Sequence, residues 1–349
     1  MTANAPVIAQ SPPSRSAVGV WLLAVAALIV AMLAVGGLTR LTGSGLSITE
    51  WDPVVGAIPP LSHADWQDAF SKYQQIPQYR LENAGMTLDA FKGIFWWEWI
   101  HRFLGRLIGF AFFVPFVWFA ATGAIVRKDW ARMLLLFVLG GLQGFVGWWM
   151  VESGLEVRVA VSQYRLAIHL GVAVLLLGAI LWVALEYLRP QVHAKATRAA
   201  KLAYVFVGFV FVQMFLGALV AGLHAGLVYN TWPLMDGRFV PERPFADGWI
   251  SFFESPGLAQ FDHRMVAYAV AVFAYFFWQW IRVHRASAMA RRAADVVLIV
   301  TAGQVVLGVV TLLYQVPVAL AALHQVVAAL LFCAAVWQAY ELRYGSPKP

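Results

Sequence analysis

Four histidines stand at matching positions in the two halves of this chain and are its best candidates for binding a metal cofactor. His101 in EWIHRFLGRLIGF is paralleled by His263 in QFDHRMVAYAVAV, and His169 in RLAIHLGVAVLLL is paralleled by His324 in LAALHQVVAALLF. Each half has one histidine near the start of its second apolar segment and one in its fourth. We expect each pair to face each other across a bundle of four helices, which can hold a haem iron by two axial ligands.

The alternative for any single histidine is an interfacial side chain that hydrogen-bonds to a carbonyl group or to water. Repetition at four matching positions favours metal ligands, because ionisable groups inside membrane segments are rare and usually functional. Zinc fits poorly, since the sequence has neither HExxH nor clustered Cys and His. The remaining histidines show no such pairing and are interpreted as solvated or interfacial: His63, His193, His224 and His284.

Glu98 is the candidate catalytic residue. It lies three residues before His101, so on a helix both side chains project from nearly the same face. Its counterpart in the second half is Gln260, which carries no charge. Only the first half would therefore place a carboxylate beside its haem. The alternative is that Glu98 favours a helix start through the helix macrodipole.

Arg102 and Arg264 directly follow the histidines of the second apolar segment in each half. They are candidates for bidentate hydrogen bonds to haem propionates. The alternative is that both guanidinium groups extend to the membrane interface. The sequence leaves these two interpretations open.

Membrane helices are the elements that must position these residues. Of 349 residues, 61% are hydrophobic and 12% are charged, against about 25% charged residues in soluble domains. Apolar runs close to the roughly 20 residues that span a bilayer recur along the sequence, without the alternation typical of membrane strands. The predicted spans are 17–39, 95–121, 133–151, 164–187, 201–224, 262–282, 294–313 and 317–341.

Repeated motifs divide these spans into two sets of four. GLSITEW (45–51) matches GLVYNTW (226–232), and Gln143 with Gly147 parallels Gln304 with Gly308. An even number of spans per repeat keeps the two halves parallel. We therefore expect an all-α polytopic membrane protein with eight transmembrane helices as two duplicated four-helix bundles. The expected parts are a disordered tail (1–16), a first bundle (17–190) that includes an outer loop (40–94), a second bundle (191–343) and a tail (344–349).

Lysine and arginine cluster in the connections after the second, fourth and sixth predicted spans. This distribution predicts that both termini are cytoplasmic and that the four histidines lie toward the outer side. It also explains the net charge of +7 without nucleic acid as a partner. The single cysteine, Cys333, excludes an internal disulfide and a CxxC metal site.

The first outer loop contains a polar, aromatic-rich stretch, HADWQDAFSKYQQIPQY. Trp66, Phe70 and Tyr73 recur there at helical spacing. This pattern favours a surface helix that lies on the membrane.

Several longer motifs resemble one known family. The segments GGLTRLTGSGLSITEWDPVVGAIPPL, KYQQIPQY, FWWEWIHRFLGR, QGFVGWWMVESGL, NTWPLMDGRFVP, FDHRMVAY and ALHQ follow each other in the order found in haem A synthase, in the form shared by mitochondria and many Gram-negative bacteria. The resemblance covers essentially the whole chain after the N-terminal tail. It implies eight transmembrane helices in two related halves and oxidation of the C8 methyl group of haem O to a formyl group, giving haem A for terminal oxidases.

The resemblance also implies a role for each candidate residue. His101 and His169 would bind the substrate, haem O, and His263 with His324 would bind a resident haem b. Glu98 falls on the outer-loop glutamate that the family requires. Some bacterial members have a cysteine pair in the outer loops, but this chain does not, so a mechanism through that pair cannot apply.

The implied reaction is two successive hydroxylations of the methyl carbon, giving an alcohol and then a geminal diol that loses water. Glu98 would act as a general base on water or stabilise positive charge developing at that carbon. Implied partners are haem O from the farnesyltransferase step, an electron acceptor, oxidase assembly factors and the lipid of the bacterial inner membrane.

Two other functions are alternatives. A two-haem b-type cytochrome that relays electrons would need no Glu98/Gln260 asymmetry and would usually place its haems at opposite membrane faces. A haem carrier or chaperone would need one exchangeable site and no catalytic group.

Overall fold

The computed structural model describes residues 15–52, 55–189, 197–284 and 286–344, which form α-helices joined by loops and short 3₁₀ turns. Within these residues, eight helices are long and apolar enough to cross a membrane. The predicted all-α polytopic membrane architecture is therefore confirmed. The helices are α1 (Arg15–Leu41), α2 (His63–Tyr73), α3 (Pro77–Leu81), α4 (Leu88–Ala121), α5 (Trp130–Glu152), α6 (Gln163–Leu188), α7 (Arg198–Gly222), α8 (Ser251–Glu254), α9 (Pro256–Val283), α10 (Ala288–Leu313) and α11 (Val318–Tyr344).

Helix α4 begins earlier than the sequence pattern indicates. It starts at Leu88 because the Thr87 side chain caps it by accepting a hydrogen bond from the N–H of Ala90. Glu98 and His101 therefore lie well inside the helix and not near its start. Since the macrodipole acts within the first turn, it does not explain Glu98.

Some sequence-based expectations fall outside the described residues. These are most of the two expected tails (residues 1–14 and 345–349), His193 and the rest of 190–196. The first membrane helix begins at Arg15, and the last one ends at Tyr344.

Sequential membrane helices run antiparallel, as contacts at both ends of α1 and α4 illustrate. Thr39 Oγ1 donates to the carbonyl of Trp97 (3.3 Å), and Trp21 Nε1 donates to the carbonyl of Ala111 (2.7 Å). Helices α1, α4, α5 and α6 pack as one bundle, and α7, α9, α10 and α11 pack as a second bundle. The helices thus pack in the two groups of four that the repeat predicts.

The two bundles meet along α1, α6, α7 and α11. Leu177, Phe206 and Phe332 lie fully or almost fully buried in this central core. In contrast, α4 and α5 expose large apolar side chains, among them Phe110 and Trp118. An apolar exterior suits helices whose outer faces contact lipid, and it places the most tightly packed side chains between the bundles.

The long connections, described over residues 42–52, 55–87 and 223–255, lie at one end of the bundles, which we call the loop end. Here α2 packs on the N-terminal part of α4: the Trp66 ring centroid lies 4.9 Å from that of Phe95, and the Phe70 centroid lies 5.0 Å from that of Phe91. Tyr73 is completely buried. The aromatic side of α2 thus faces α4, and the position of this helix on the membrane stays a prediction.

Close packing at the junction of the two bundles can be tested at Gly222, the last residue of α7. A Cβ added there would lie 2.6 Å from Cβ and 2.7 Å from Cα of Gln163 at the start of α6. We expect Gly222→Ala to destabilise the protein by about 1–3 kcal/mol, the usual range for overpacking, and to lower the thermal unfolding midpoint in detergent. Gly208→Ala in the same helix is the control, because no atom of the described residues lies within 4 Å of its added Cβ. An equal midpoint for both variants would contradict close packing at this junction.

Candidate functional site

The four repeated histidines all lie in the halves of their helices that are closer to the loop end. His101 is on α4, His169 on α6, His263 on α9 and His324 on α11. The sequence pattern therefore identified both the helices and the depth of the candidate ligands.

Each histidine ring packs against a glycine of a neighbouring helix. A Cβ added at any of these glycines would lie 2.8–3.2 Å from the Cε1 atom of the ring. Glycine thus clears the space that each imidazole occupies between two helices. The pairs are His101 with Gly36, His169 with Gly147, His263 with Gly217, and His324 with Gly308.

The two rings of the second half face each other. The ring centroids of His263 and His324 are 6.4 Å apart, with 76° between the ring planes. Two imidazoles that bind one metal ion from opposite sides, with roughly 2 Å between the metal and each nitrogen, place their centroids about 6 Å apart. In the first half, His101 and His169 take the equivalent places and lie close enough to interact electrostatically.

Three glutamines tie the histidine-bearing helices to their neighbours. Each donates an Nε2 hydrogen bond to the backbone carbonyl of a histidine and lies 3.1–3.4 Å from a nitrogen of its ring. Oε1 of each glutamine is buried and has no hydrogen-bond partner within the described part of the chain. The bonds to the carbonyls run from Gln143 to His169 (2.8 Å), from Gln213 to His263 (3.0 Å) and from Gln304 to His324 (3.0 Å).

Sequence reasoning missed Gln213 and the glycines Gly36 and Gly217. The signal was present, because QMFLG (213–217) repeats the spacing of QGFVG (143–147) and QVVLG (304–308). Gly36 also precedes Gly217 by 181 residues, the same offset that relates GLSITEW to GLVYNTW. A search for glutamine four residues before glycine would have found the third glutamine.

This donor set fits a haem iron held by two axial imidazoles. Among the described residues, Nδ1 of His101 and Nδ1 of His324 are buried without a hydrogen-bond partner. The part of the chain that the structure describes contains no group of three or more His, Cys, Asp or Glu that could hold a metal ion. The histidines are thus grouped as pairs in apolar surroundings, and each pair could hold a haem between helices of one bundle.

Glu98 lies three residues before His101 and is only 2% exposed. Its Oε1 accepts hydrogen bonds from Nη2 (2.6 Å) and Nε (3.0 Å) of Arg102. Its Oε2 accepts from the Ser47 hydroxyl (2.8 Å) and from the N–H of Ile48 (2.9 Å). The carboxylate therefore fastens the GLSITEW segment to α4 directly above the first histidine pair.

Arg102 completes this attachment. Its Nη2 donates to the carbonyl of Ile48 (2.7 Å), and its Nη1 donates to the carbonyl of Glu50 (2.8 Å). The guanidinium thus contacts the loop over the site, while its expected pairing with a haem propionate stays a prediction.

The second half repeats this attachment with different chemistry. Gln260 and Arg264 both donate to the carbonyl of Tyr229, at 3.1 and 3.0 Å, and Tyr229 corresponds to Ile48 in the repeat. Gln260 is 3% exposed. Glu98 and Gln260 therefore fill the same place above their histidines, and the negative charge is what distinguishes the first half.

The other described histidines lie outside these pairs. His63 and His284 are exposed, as expected for solvated residues. His224, also exposed, lies between the two halves: its Nε2 is 2.6 Å from Nη2 of Arg40, which also donates to the carbonyl of Ala221 (2.9 Å). Desolvation and the guanidinium of Arg40 both lower the pKa of His224. Because a guanidinium group can only donate, Nε2 of His224 is the acceptor of this hydrogen bond.

Comparison with known proteins agrees with the repeated histidine arrangement. Residues 19–336 match the COX15-CtaA family, described as cytochrome oxidase assembly protein. This match covers six of the membrane helices completely and most of α1 and α11, and it includes all four paired histidines.

Curated proteins named haem A synthase are similar over nearly their whole length. The chain is 52% identical to that of Azorhizobium caulinodans over 343 residues (97% of each chain). It is 50% identical to that of Parvibaculum lavamentivorans over 337 residues (96% of this chain and 97% of the relative), and 50% identical to that of Maricaulis maris over 339 residues (95% and 98%). This multi-pass membrane protein therefore belongs to the cytochrome oxidase assembly protein family, together with these haem A synthases.

Proposed function

We propose that this protein is a haem A synthase that oxidises the C8 methyl group of haem O to a formyl group. The observation that carries the proposal is a pair of equivalent histidine sites of which only one has a buried carboxylate above it. The names of the curated relatives support the same activity. Two equivalent sites suit two haems, and the unique carboxylate suits chemistry at one of them.

Haem O is the substrate of the first half, bound by His101 and His169. The second half binds a resident haem b through His263 and His324, which supplies a redox centre for one-electron transfer when it is bound. This assignment rests on Glu98, because Gln260 at the same place has no carboxylate that could accept a proton or stabilise a cation.

The substrate passes through two hydroxylations at one carbon. The first replaces a C–H bond of the methyl group with C–OH, and the second gives a geminal diol that loses water to leave the aldehyde. Each step consumes one water and releases two protons and two electrons, so that the carbon gains one hydroxyl group. The electrons leave for an acceptor outside this chain.

Glu98 has two chemically reasonable roles in these steps. As a general base it would take a proton from an attacking water, and as a fixed anion it would stabilise positive charge at the methyl carbon. Its present hydrogen bonds with Arg102, Ser47 and Ile48 fix its position and hold it out of bulk water. A carboxylate fixed in advance does not have to be reoriented as charge develops.

The bacterial relatives support a location in the bacterial inner membrane. The distribution of basic loops supports an orientation with both termini in the cytoplasm. In this orientation the loop end, and with it both histidine pairs, lies toward the periplasm. The product would then be available to oxidase assembly factors on that side.

The ligand assignment is tested by extracting pigments from membranes of cells that also produce haem O. We expect haem A and its hydroxylated intermediate with the unchanged protein, and neither product with His101→Ala or His263→Ala, because each loses an axial ligand. His63→Ala is the matched control, since His63 is exposed. Haem A from both ligand variants would contradict the assignment.

The carboxylate is tested by Glu98→Gln. Gln260 shows that an amide fits at this place and can still fasten the loop, so we expect normal folding and bis-histidine spectra. Haem A formation should fall by at least about 100-fold, the lower end of the effect of general acid–base groups.

Glu50→Gln serves as the control for that substitution, because Glu50 lies in the same loop but is exposed and contacts Lys72. Its output of haem A should be unchanged. Unchanged haem A formation in Glu98→Gln would remove the carboxylate from the chemistry and leave it as a loop attachment.

The need for glycine beside each histidine ring is tested by Gly308→Val. The added side chain would meet Cε1 of His324 at 2.9 Å, so we expect the ring to be displaced and the haem b content of the purified protein to fall. Gly303→Val on the same helix is the control, because its Cβ meets no atom of the described residues within 4 Å. Equal haem b content in the two variants would show that the ring does not need this space.

A further inference from the structure

The first half breaks the pattern of glutamines at one position. Three of the four ring-contacting glycines follow a glutamine by four residues, but Gly36 follows Met32 in MLAVG (32–36). Met32 corresponds to Gln213, at the same 181-residue offset that relates Gly36 to Gly217. His101 is therefore the one histidine of the four whose neighbouring helix supplies a thioether in place of an amide.

Met32 fills the place beside α4 that the amide fills beside α9. Its Cε lies 3.2 Å from the Cβ position of Gly105, one turn after His101. Within the described residues, Nδ1 of His101 is buried and has no hydrogen-bond partner. A thioether is a weak hydrogen-bond acceptor, so Met32 offers no strong partner for the ring of His101.

The group that accepts the free N–H of a metal-binding histidine affects how firmly that histidine binds the metal. A neutral imidazole that ligates through Nε2 carries its proton on Nδ1, and an acceptor for that proton fixes the ring and strengthens it as a ligand. Gln213 brings a buried, unused Oε1 to His263, with its Nε2 3.1 Å from Nδ1 of the ring. Turning the amide over presents Oε1 to that nitrogen in exchange for the hydrogen bond from Nε2 to the carbonyl of His263. Gln143 lies in the same way 3.1 Å from Nδ1 of His169, whereas Gln304 lies nearest to Nε2 of His324.

We propose that Met32 makes His101 a weak, exchangeable axial ligand, while Gln213 makes His263 a permanent one. Met32 and Gln213 are thus positioning residues that let one half release its haem and make the other half keep it. The proposal rests on the proposed function, in which the first half must accept haem O and release haem A at every turnover. A resident cofactor must instead stay bound through every turnover.

The second half offers a test that involves neither haem O nor haem A formation. Full-length protein with His169→Ala is produced without a haem O source, so that haem B occupies the second site, and transfer of this haem to excess apomyoglobin is followed by absorbance. We expect Gln213→Met to speed the transfer by about 10–100-fold, the usual effect of losing a second-shell partner. Gln213→Glu retains an acceptor and should keep the transfer slow while lowering the midpoint potential, because an anionic acceptor favours the oxidised iron.

The first half is tested by the reverse substitution, Met32→Gln. Anaerobic protein loaded with haem O should lose it to apomyoglobin at least about 10-fold more slowly when it carries Met32→Gln, and its haem A output per cell should fall because release slows. Met32→Leu is the matched control: it keeps an apolar side chain of similar size and should behave like the unchanged protein. Its gel-filtration profile also serves as the folding reference.

The outcomes separate this proposal from the proposed function. Unchanged transfer rates in both Gln213→Met and Met32→Gln, with haem A still produced by the unchanged protein, would overturn the role of the two residues alone. Faster haem loss from Gln213→Met in a protein that never forms haem A would uphold the role of the amide and overturn the proposed function.

Discussion

Four imidazole rings lie inside an apolar bundle, and most other features of the site follow from that burial. A buried polar group without a hydrogen-bond partner destabilises the folded state, so each ring needs both space and a partner. Glycine supplies the space on four different helices, and glutamine supplies a polar group beside three of the rings. Unpaired atoms remain on two of the rings and on the three glutamines beside the rings: Nδ1 of His101 and His324, and Oε1 of Gln143, Gln213 and Gln304. We interpret these unused groups as the part of the site that a ligand completes.

The duplicated halves share a framework and differ at the positions that matter for chemistry. Glu98 and Gln260 occupy the same place and fasten the same loop residue, yet one bears a charge and the other does not. A buried carboxylate must be paired to be tolerated, and Arg102 pairs with it. Because Arg264 makes the same loop contact beside a neutral partner, the arginine is part of the framework, and the carboxylate is the specific addition of the first half.

The sequence predicted the eight helices, their grouping by four and the helices that carry the four paired histidines. Apolar runs and repeated motifs can be recognised from the residue order alone. It did not predict what Arg102 contacts, since the partners Ile48 and Glu50 approach only when the loop folds back over α4. The early start of α4 was missed because a threonine cap and polar residues precede the apolar run. Helical spacing indicated that Trp66, Phe70 and Tyr73 share one face of α2, but it does not show what that face contacts.

The positions of the two histidine pairs constrain how the halves work together. Both pairs lie at the loop end, so in the proposed function electrons that pass between the halves would travel along the membrane plane. The connection between the pairs is short: Gln325, which follows His324 on α11, donates to the carbonyl of Leu33 on α1 at 2.6 Å, one turn before Gly36. The helices that bury the most side chains are thus also the helices that bring the two sites together. In the proposed function, the packing of α1 against α11 sets how far electrons travel between the two haem sites, and α4 shares this role because it carries His101.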